Sequence, residues 1–219
     1  EHQAGTIGAG LGLKNDKHRD VVLSLPPNAP RMPRNRFIEW LGRSMLRAGG
    51  WHMVGQFPDL PKAVVIAAPH SSNWDGIWGM AAKAAMGVKL SILGKDALLR
   101  IPLIGAVLRW QGVIPVDRSA PRGLVEQAIE AIHGADRMWY AIAPEGTRKW
   151  VDHWKPGFWR IAHGAGVPVI PAYFDYASKT SGVGEPIPLT DDMQADIARV
   201  QRWYRPYKGR NHDALQPQL

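Results

Sequence analysis

The sequence predicts an α/β fold: a mostly parallel central sheet covered by helices on both faces, with an N-terminal amphipathic helix. Three observations carry that reading. Short runs rich in Val and Ile alternate with patterns of helical period between Lys62 and Phe174, as they do where crossover helices cover a parallel sheet. Apolar residues reach 45% and charged residues 21%, which suits one packed core and argues against wholesale disorder. The 23 glycines and 18 prolines among 219 residues exceed the ~12% combined share of ordinary chains, so tight turns are many and a helical bundle is disfavoured.

Residues 1–33 read as a flexible lead-in, 34–210 as a single domain and 211–219 as a tail. Gly5, Gly8, Gly10 and Gly12 superficially suggest a phosphate loop, but no strand precedes them and no helical pattern follows, so the required context is missing. From Asn35 to Arg47 the spacing is helical: Arg36, Arg43 and Arg47 share one sector, and Phe37, Ile38, Leu41 and Met45 lie opposite, with Trp40 and Leu46 at the borders. Such a helix either packs on its own core or lies in a membrane interface.

Lys62–Ala68 reads as a buried strand and Trp74–Met86 as an Ala-rich helix. Val88–Leu93 gives a strand, followed by a segment holding Leu98, Leu99, Ile101, Leu103 and Leu108. Gly112–Val116 is another strand. Leu124, Val125, Ala128, Ile129 and Ile132 then mark one helix face, and Met138–Ala143 is a strand. Val167–Phe174 is the last strand, expected near an edge because Pro168 and Pro171 cannot donate to a ladder. Thr190 is expected to cap a final helix with Asp191 and Asp192 in its first turn and Met193, Ile197 and Val200 as its apolar stripe.

The absence of cysteine excludes a disulfide scaffold, a thiolate metal site and a cysteine nucleophile, and fits the cytosol. Twenty-seven Lys and Arg against 19 Asp and Glu give a formal charge of +8, which favours anionic partners. The longest stretch without Asp, Glu, Lys or Arg is the 14 residues Ile161–Phe174, short of the roughly 18 that a spanning helix needs.

In open α/β sheets, sites form where strands end. Three expected strand ends deliver unusual polarity: Pro69-His70-Ser71-Ser72-Asn73-Trp74-Asp75, Asp117-Arg118, and Pro144-Glu145-Gly146-Thr147-Arg148. Ser72 or Asn73 can cap the following helix and leave Asp75 in its first turn, facing back toward His70. A carboxylate on one ring N–H fixes the imidazole tautomer and leaves the other nitrogen as a base. The plainer alternative is a histidine that satisfies a turn and an aspartate that suits the helix dipole. None of the other seven histidines has an aspartate at this spacing. Arg118 and Arg148 are candidate anion hooks, since guanidinium binds phosphate bidentately, and Lys95 is a weaker one. Glu145 either pairs with Arg148 or orients an acceptor hydroxyl.

Four blocks now stand in order: His70–x4–Asp75, Val116-Asp117-Arg118, Pro144 to Arg148, and Val167-Pro168-Val169-Ile170-Pro171. Together they resemble the glycerolipid (lysophosphatidate) acyltransferase family, over about Trp51–Phe174. The resemblance implies His70 as general base and Asp75 as its orienting partner. It implies that Arg118, Glu145, Gly146, Thr147 and Arg148 hold a phosphorylated acceptor, that Val167–Pro171 walls the acyl site, and that Lys95 and Lys155 add basic character. The implied reaction moves a fatty acyl group from acyl-CoA or acyl carrier protein to the hydroxyl of a lysophospholipid, or of a non-glycerol lyso-lipid such as a lyso-ornithine lipid. It implies no metal and no cofactor beyond the acyl thioester, and a protein that is cytoplasmic and peripheral on the anionic inner face of a membrane. Pro69 and Ala143 depart from the family, where asparagine often precedes the histidine and an aromatic commonly precedes the proline of the third block.

Two other classes compete. A non-catalytic module binding nucleic acid or membrane would use ten tryptophans and the basic stretch Arg199, Arg202, Arg205, Lys208 and Arg210, with Tyr204 and Tyr207 interleaved. The aromatics are too dispersed for it, so nucleic acid is not an expected partner. A metal-dependent hydrolase built on His70, Asp75 and Glu145 lacks a histidine pair at ligand spacing. Trp150, Trp154, Phe158 and Trp159 read most simply as packing beneath a loop.

Overall fold

The computed structural model describes residues 24–95, 100–102, 105, 109, 112–116 and 123–215. In chain order the elements are α1 (Arg36–Ala48), β1 (His52–Val54), β2 (Lys62–Ala67), α2 (Asn73–Met86), β3 (Leu90–Lys95), β4 (Val113–Val116), α3 (Leu124–Gly134), β5 (Met138–Ile142), α4 (Gly157–Ala165), β6 (Val169–Asp175), β7 (Thr180–Val183) and α5 (Met193–Tyr204). Seven strands form one sheet in the order β1-β7-β6-β2-β5-β3-β4. The five strands from β6 to β4 run parallel. Strand β7 turns back antiparallel on β6, and β1 runs parallel to β7.

The period-two alternation of β2 splits the core across the sheet. Val64 and Ile66 face one side, where Ala128 and Ile132 of α3, Phe158 and Ile161 of α4 and Val200 and Tyr204 of α5 pack. Ala63 and Val65 face the other, against Val88, Trp139 and Ile170, with Met86 at the end of α2 beside them. Helix α1 lies on α2 at Gly42, where an added Cβ would stand 2.6 Å from Ala81 O and Ala85 N. Only glycine allows that approach.

Strand β6 lies inside the sheet, between β7 and β2, and not at an edge. Its proline faces β7, where Pro171 O accepts from Gly184 N at 2.8 Å just past the end of that strand. The Tyr204 hydroxyl accepts from Ala172 N at 3.0 Å and donates to Ile66 O at 2.8 Å, bridging the two strands beside Pro171. Tyr204 is therefore core, not part of an exposed aromatic-basic face. The cap of α5 is Asp192, whose carboxylate accepts from Ala195 N at 2.9 Å, while Thr190 accepts from Asp192 N one step earlier. Trp154 and Phe158 are core residues, and Phe158 sits on α4, a helix that the sequence reading leaves as loop. Strands β1 and β7 are likewise absent from that reading.

The stretch before α1 is pinned over residues 28–32: Asn28 N donates to Asp59, Met32 N to Gly87 O, and Ala29 is fully buried. Residues 1–23, and most of the Leu98–Leu108 segment, lie outside the described residues. Among the described residues, no helix is long and apolar enough to cross a membrane.

Candidate active site

Adjacent parallel strands β6, β2 and β5 end together, so the loops after them meet. The loop after β2 carries His70 and runs into α2. Ser72 is the helix cap: its hydroxyl accepts from Trp74 N, and Asp75 reaches back in a capping box. Asp75 thereby holds the turn closed, with Oδ2 accepting from Ser71 N at 2.7 Å and Ser72 N at 2.8 Å. The same oxygen lies 3.4 Å from His70 Nδ1, within reach of the ring and longer than an ordinary hydrogen bond. Asp75 is buried. Burial alone would raise its pKa, but the hydrogen bonds from His70, Tyr176 and Ser72 outweigh it and hold the carboxyl below its usual range. The His70 ring keeps 28% of its surface exposed.

Glu145, after β5, is 1% exposed. Its carboxylate accepts from His70 N at 2.9 and 3.2 Å, so it anchors the histidine's backbone and is not turned to Arg148. Burial pushes its pKa up to about 7, against the lowering effect of the His70 N–H. Arg148 Nη1 instead donates to Asn73 Oδ1, in the first turn of α2. Gly146 takes φ +66°, and a Cβ there would stand 2.9–3.0 Å from the Lys155 side chain, so the glycine frees both the turn and the space under that ammonium. Thr147 closes the loop by accepting from Lys149 N at 3.2 Å.

His70, Asp75, Glu145, Gly146, Arg148 and Lys155 thus converge. Arg118 lies outside the described residues. Lys95 ends β3, and its side chain is outside what the structure describes.

Several contributors escape the sequence reading. Tyr176, after β6, donates its phenol O–H to Asp75 Oδ1 at 2.6 Å. Ser71 Oγ accepts from Arg210 N at 2.9 Å and Asn211 N at 3.1 Å, and Asn211 Nδ2 donates to Ser71 O at 2.6 Å. His212 Nε2 stands 3.0 Å from Arg148 O, and the Arg210 guanidinium lies 5.0 Å from the Trp74 ring centre. A strap from the C-terminal end of the chain therefore borders the site. No motif marks these residues, because Tyr176 and Asn211 stand 101 and 140 positions from their partners.

Between α2 and the sheet runs a cavity of about 500 Å³, lined by His70 and Asp75 together with Val65, Met80, Met86, Trp139, Ile170 and Phe174. That size and apolarity suit a ligand pocket. The small residues Gly76 and Gly79 line it next to the histidine turn.

Comparison with known proteins agrees. Residues 50–175 match the model of the family described as Acyltransferase. The chain is 30% identical over 156 residues to the lysophospholipid acyltransferase LPCAT4 of Xenopus tropicalis, covering 66% of this chain and 28% of that protein. It is 30% identical over 156 residues to lysophosphatidylcholine acyltransferase 2 of Homo sapiens, covering 67% and 27%. The alignments thus span little more than a quarter of those relatives. The crystal structure of the 1-acyl-sn-glycerophosphate (LPA) acyltransferase PlsC from Thermotoga maritima superposes with a TM-score of 0.54 at 17% identity, over 80% of this chain and 81% of that one, a likeness of fold. Matched from the end of α1 through β6, more than half its length, the chain belongs to the Acyltransferase family.

Proposed function

We propose that the protein transfers a fatty acyl group from an acyl thioester, acyl-CoA or acyl carrier protein, to the hydroxyl of a lysophospholipid of the lysophosphatidate kind. The observation that carries this reading is the His70–Asp75 pair in the wall of the apolar cavity, with Arg148 beside the same helix terminus. The names of the relatives support the acceptor class.

In this reading the acyl chain lies in the cavity and its thioester carbonyl stands at His70. Nδ1 faces Asp75, so Nε2 takes the proton of the acceptor hydroxyl as its oxygen attacks the carbonyl carbon. The tetrahedral intermediate collapses with cleavage of the C–S bond, and the departing thiolate takes that proton from the imidazolium. The ester forms, the free thiol leaves, and no acyl-enzyme is needed. Arg148, Lys155 and Arg118 hold the acceptor phosphate, with Lys95 as a further cation.

The reading extends to a membrane surface. Phe37, Trp40, Leu41 and Met45 of α1 are exposed, as are Trp74, Ile77 and Met80 of α2, while Arg36 and Arg47 are exposed on the same helix. An amphipathic helix of this kind inserts its apolar face at an anionic headgroup boundary. The test is incubation of the protein with a radiolabelled acyl thioester and a panel of lyso-lipids. Labelled diacyl product is expected, and His70→Ala should lower its rate by about 10²–10⁴-fold. Near-normal turnover by that variant would overturn the assignment.

A further inference from the structure

We propose that Tyr176 is a positioning residue of this site: its phenol O–H fixes the second oxygen of Asp75 and so the plane of the carboxylate that orients His70. The inference rests on His70 acting as the general base.

The two oxygens of Asp75 have different duties. Oδ2 takes the N–H groups of Ser71 and Ser72 and faces the imidazole. Those contacts pin one oxygen and leave rotation of the carboxylate about it unopposed. Oδ1 is held by Tyr176 at 2.6 Å, in the range of a charge-assisted O–H···O⁻ bond. With both oxygens engaged the plane is set, and with it the direction offered to Nδ1.

The phenol is itself immobilised without help from Asp75. Its ring meets Trp51 edge-on at 5.0 Å between centroids. Its backbone N–H donates to Lys208 O at 2.8 Å, and the neighbouring Asp175 accepts from Lys208 N at 2.8 Å. Two chain crossings therefore fix where the hydroxyl points. Burial first, and then the Asp75 charge, keep the phenol protonated well above its ordinary range, so it remains a donor.

The experiment measures kcat and both KM values for wild type, His70→Ala, Asp75→Asn, Tyr176→Phe and the Asp75→Asn/Tyr176→Phe double variant, together with melting temperatures. Loss of a hydrogen bond to a charged group should lower kcat of Tyr176→Phe by about 10–100-fold. Both KM values should stay within about twofold of wild type, because no substrate contact is removed. In the Asp75→Asn background the same change should cost little more, since Tyr176 works through that carboxylate. Unchanged kcat, or an equal loss in the Asp75→Asn background, overturns the inference. Full activity of His70→Ala overturns instead the reading beneath it. If Tyr176→Phe folds poorly, 3-fluorotyrosine at position 176 is nearly isosteric and a stronger donor; kcat should then change with KM constant, and an unmoved kcat overturns the inference equally.

Discussion

Glu145 shows how one residue can be read for its chemistry and still be misplaced. Its position after a strand and before Gly146 marks it in the sequence, and Arg148 three residues on suggests an ion pair. The fold instead buries the carboxylate under the loop that bears His70, where it accepts the His70 N–H and titrates near pH 7. A carboxyl whose pKa is raised on folding binds protons more tightly in the native state, so stability falls as pH rises from the unfolded value through the folded one. That window runs from 4.5 to about 7. Glu145→Gln keeps an oxygen for the His70 N–H and removes the charge. The variant should therefore gain on wild type as pH rises from 5 to 8, by about 1–3 kcal/mol in unfolding free energy. Chemical denaturation of both proteins at the two pH values measures it, and a stability difference independent of pH would show that the carboxylate is not strained by its burial.

Helix α1 carries the corresponding lesson for an element. Its period and its arginine sector are legible, whereas the face that becomes buried is not. The contact with α2 is made where α1 has least side chain, at Gly42, with Leu46 beside it and Arg43 Nε donating to Ala85 O at 3.3 Å. Hydrophobic periodicity cannot score a glycine as an interface, so the apolar stripe fits a packing surface as well as a membrane face; it stays outside, with Phe37 66% and Trp40 60% exposed. Similar reasons hid α4, whose nine residues begin at Gly157 and include Gly164, and the prolines made β6 look like an edge because β7, the unforeseen strand on its other side, ends at Val183 before Gly184 N reaches Pro171 O. For membrane docking, Phe37→Ser with Trp40→Ser should leave the melting temperature within a few degrees of wild type, since neither ring is buried. Each ring contributes about 1.5–3 kcal/mol when withdrawn from water, so binding to vesicles containing anionic phospholipid should weaken by at least about 100-fold. Co-sedimentation decides the matter, and undiminished binding by the double variant would remove α1 from the membrane contact.

On the scale of the molecule, the strand-helix order and the two strand-end clusters within the described residues are readable because each is local, while the parts that lock them together come from distant stretches. The histidine turn is closed by Ser72 and Asp75 within a few residues, but it is anchored by Glu145, Tyr176 and Asn211 from elsewhere in the chain. The sheet beneath shows the same design. Helix α5 sends Tyr204 through the core so that its hydroxyl stands between β6 and β2, the strands followed by Tyr176 and by the His70 loop. No water reaches that hydroxyl, which is fully buried, so removing it leaves the Ala172 N–H and the Ile66 carbonyl unpaired in an apolar surround. An orphaned buried group costs about 1–3 kcal/mol, and in a domain of this size that lowers the melting temperature by about 2–12 °C. Tyr204→Phe should show that loss by calorimetry while retaining most acyl transfer at temperatures well below its transition, since neither His70 nor its partners is touched. If α5 were only laid against the sheet, with its hydroxyl contributing nothing to the joining of the two strands, the variant would melt with wild type.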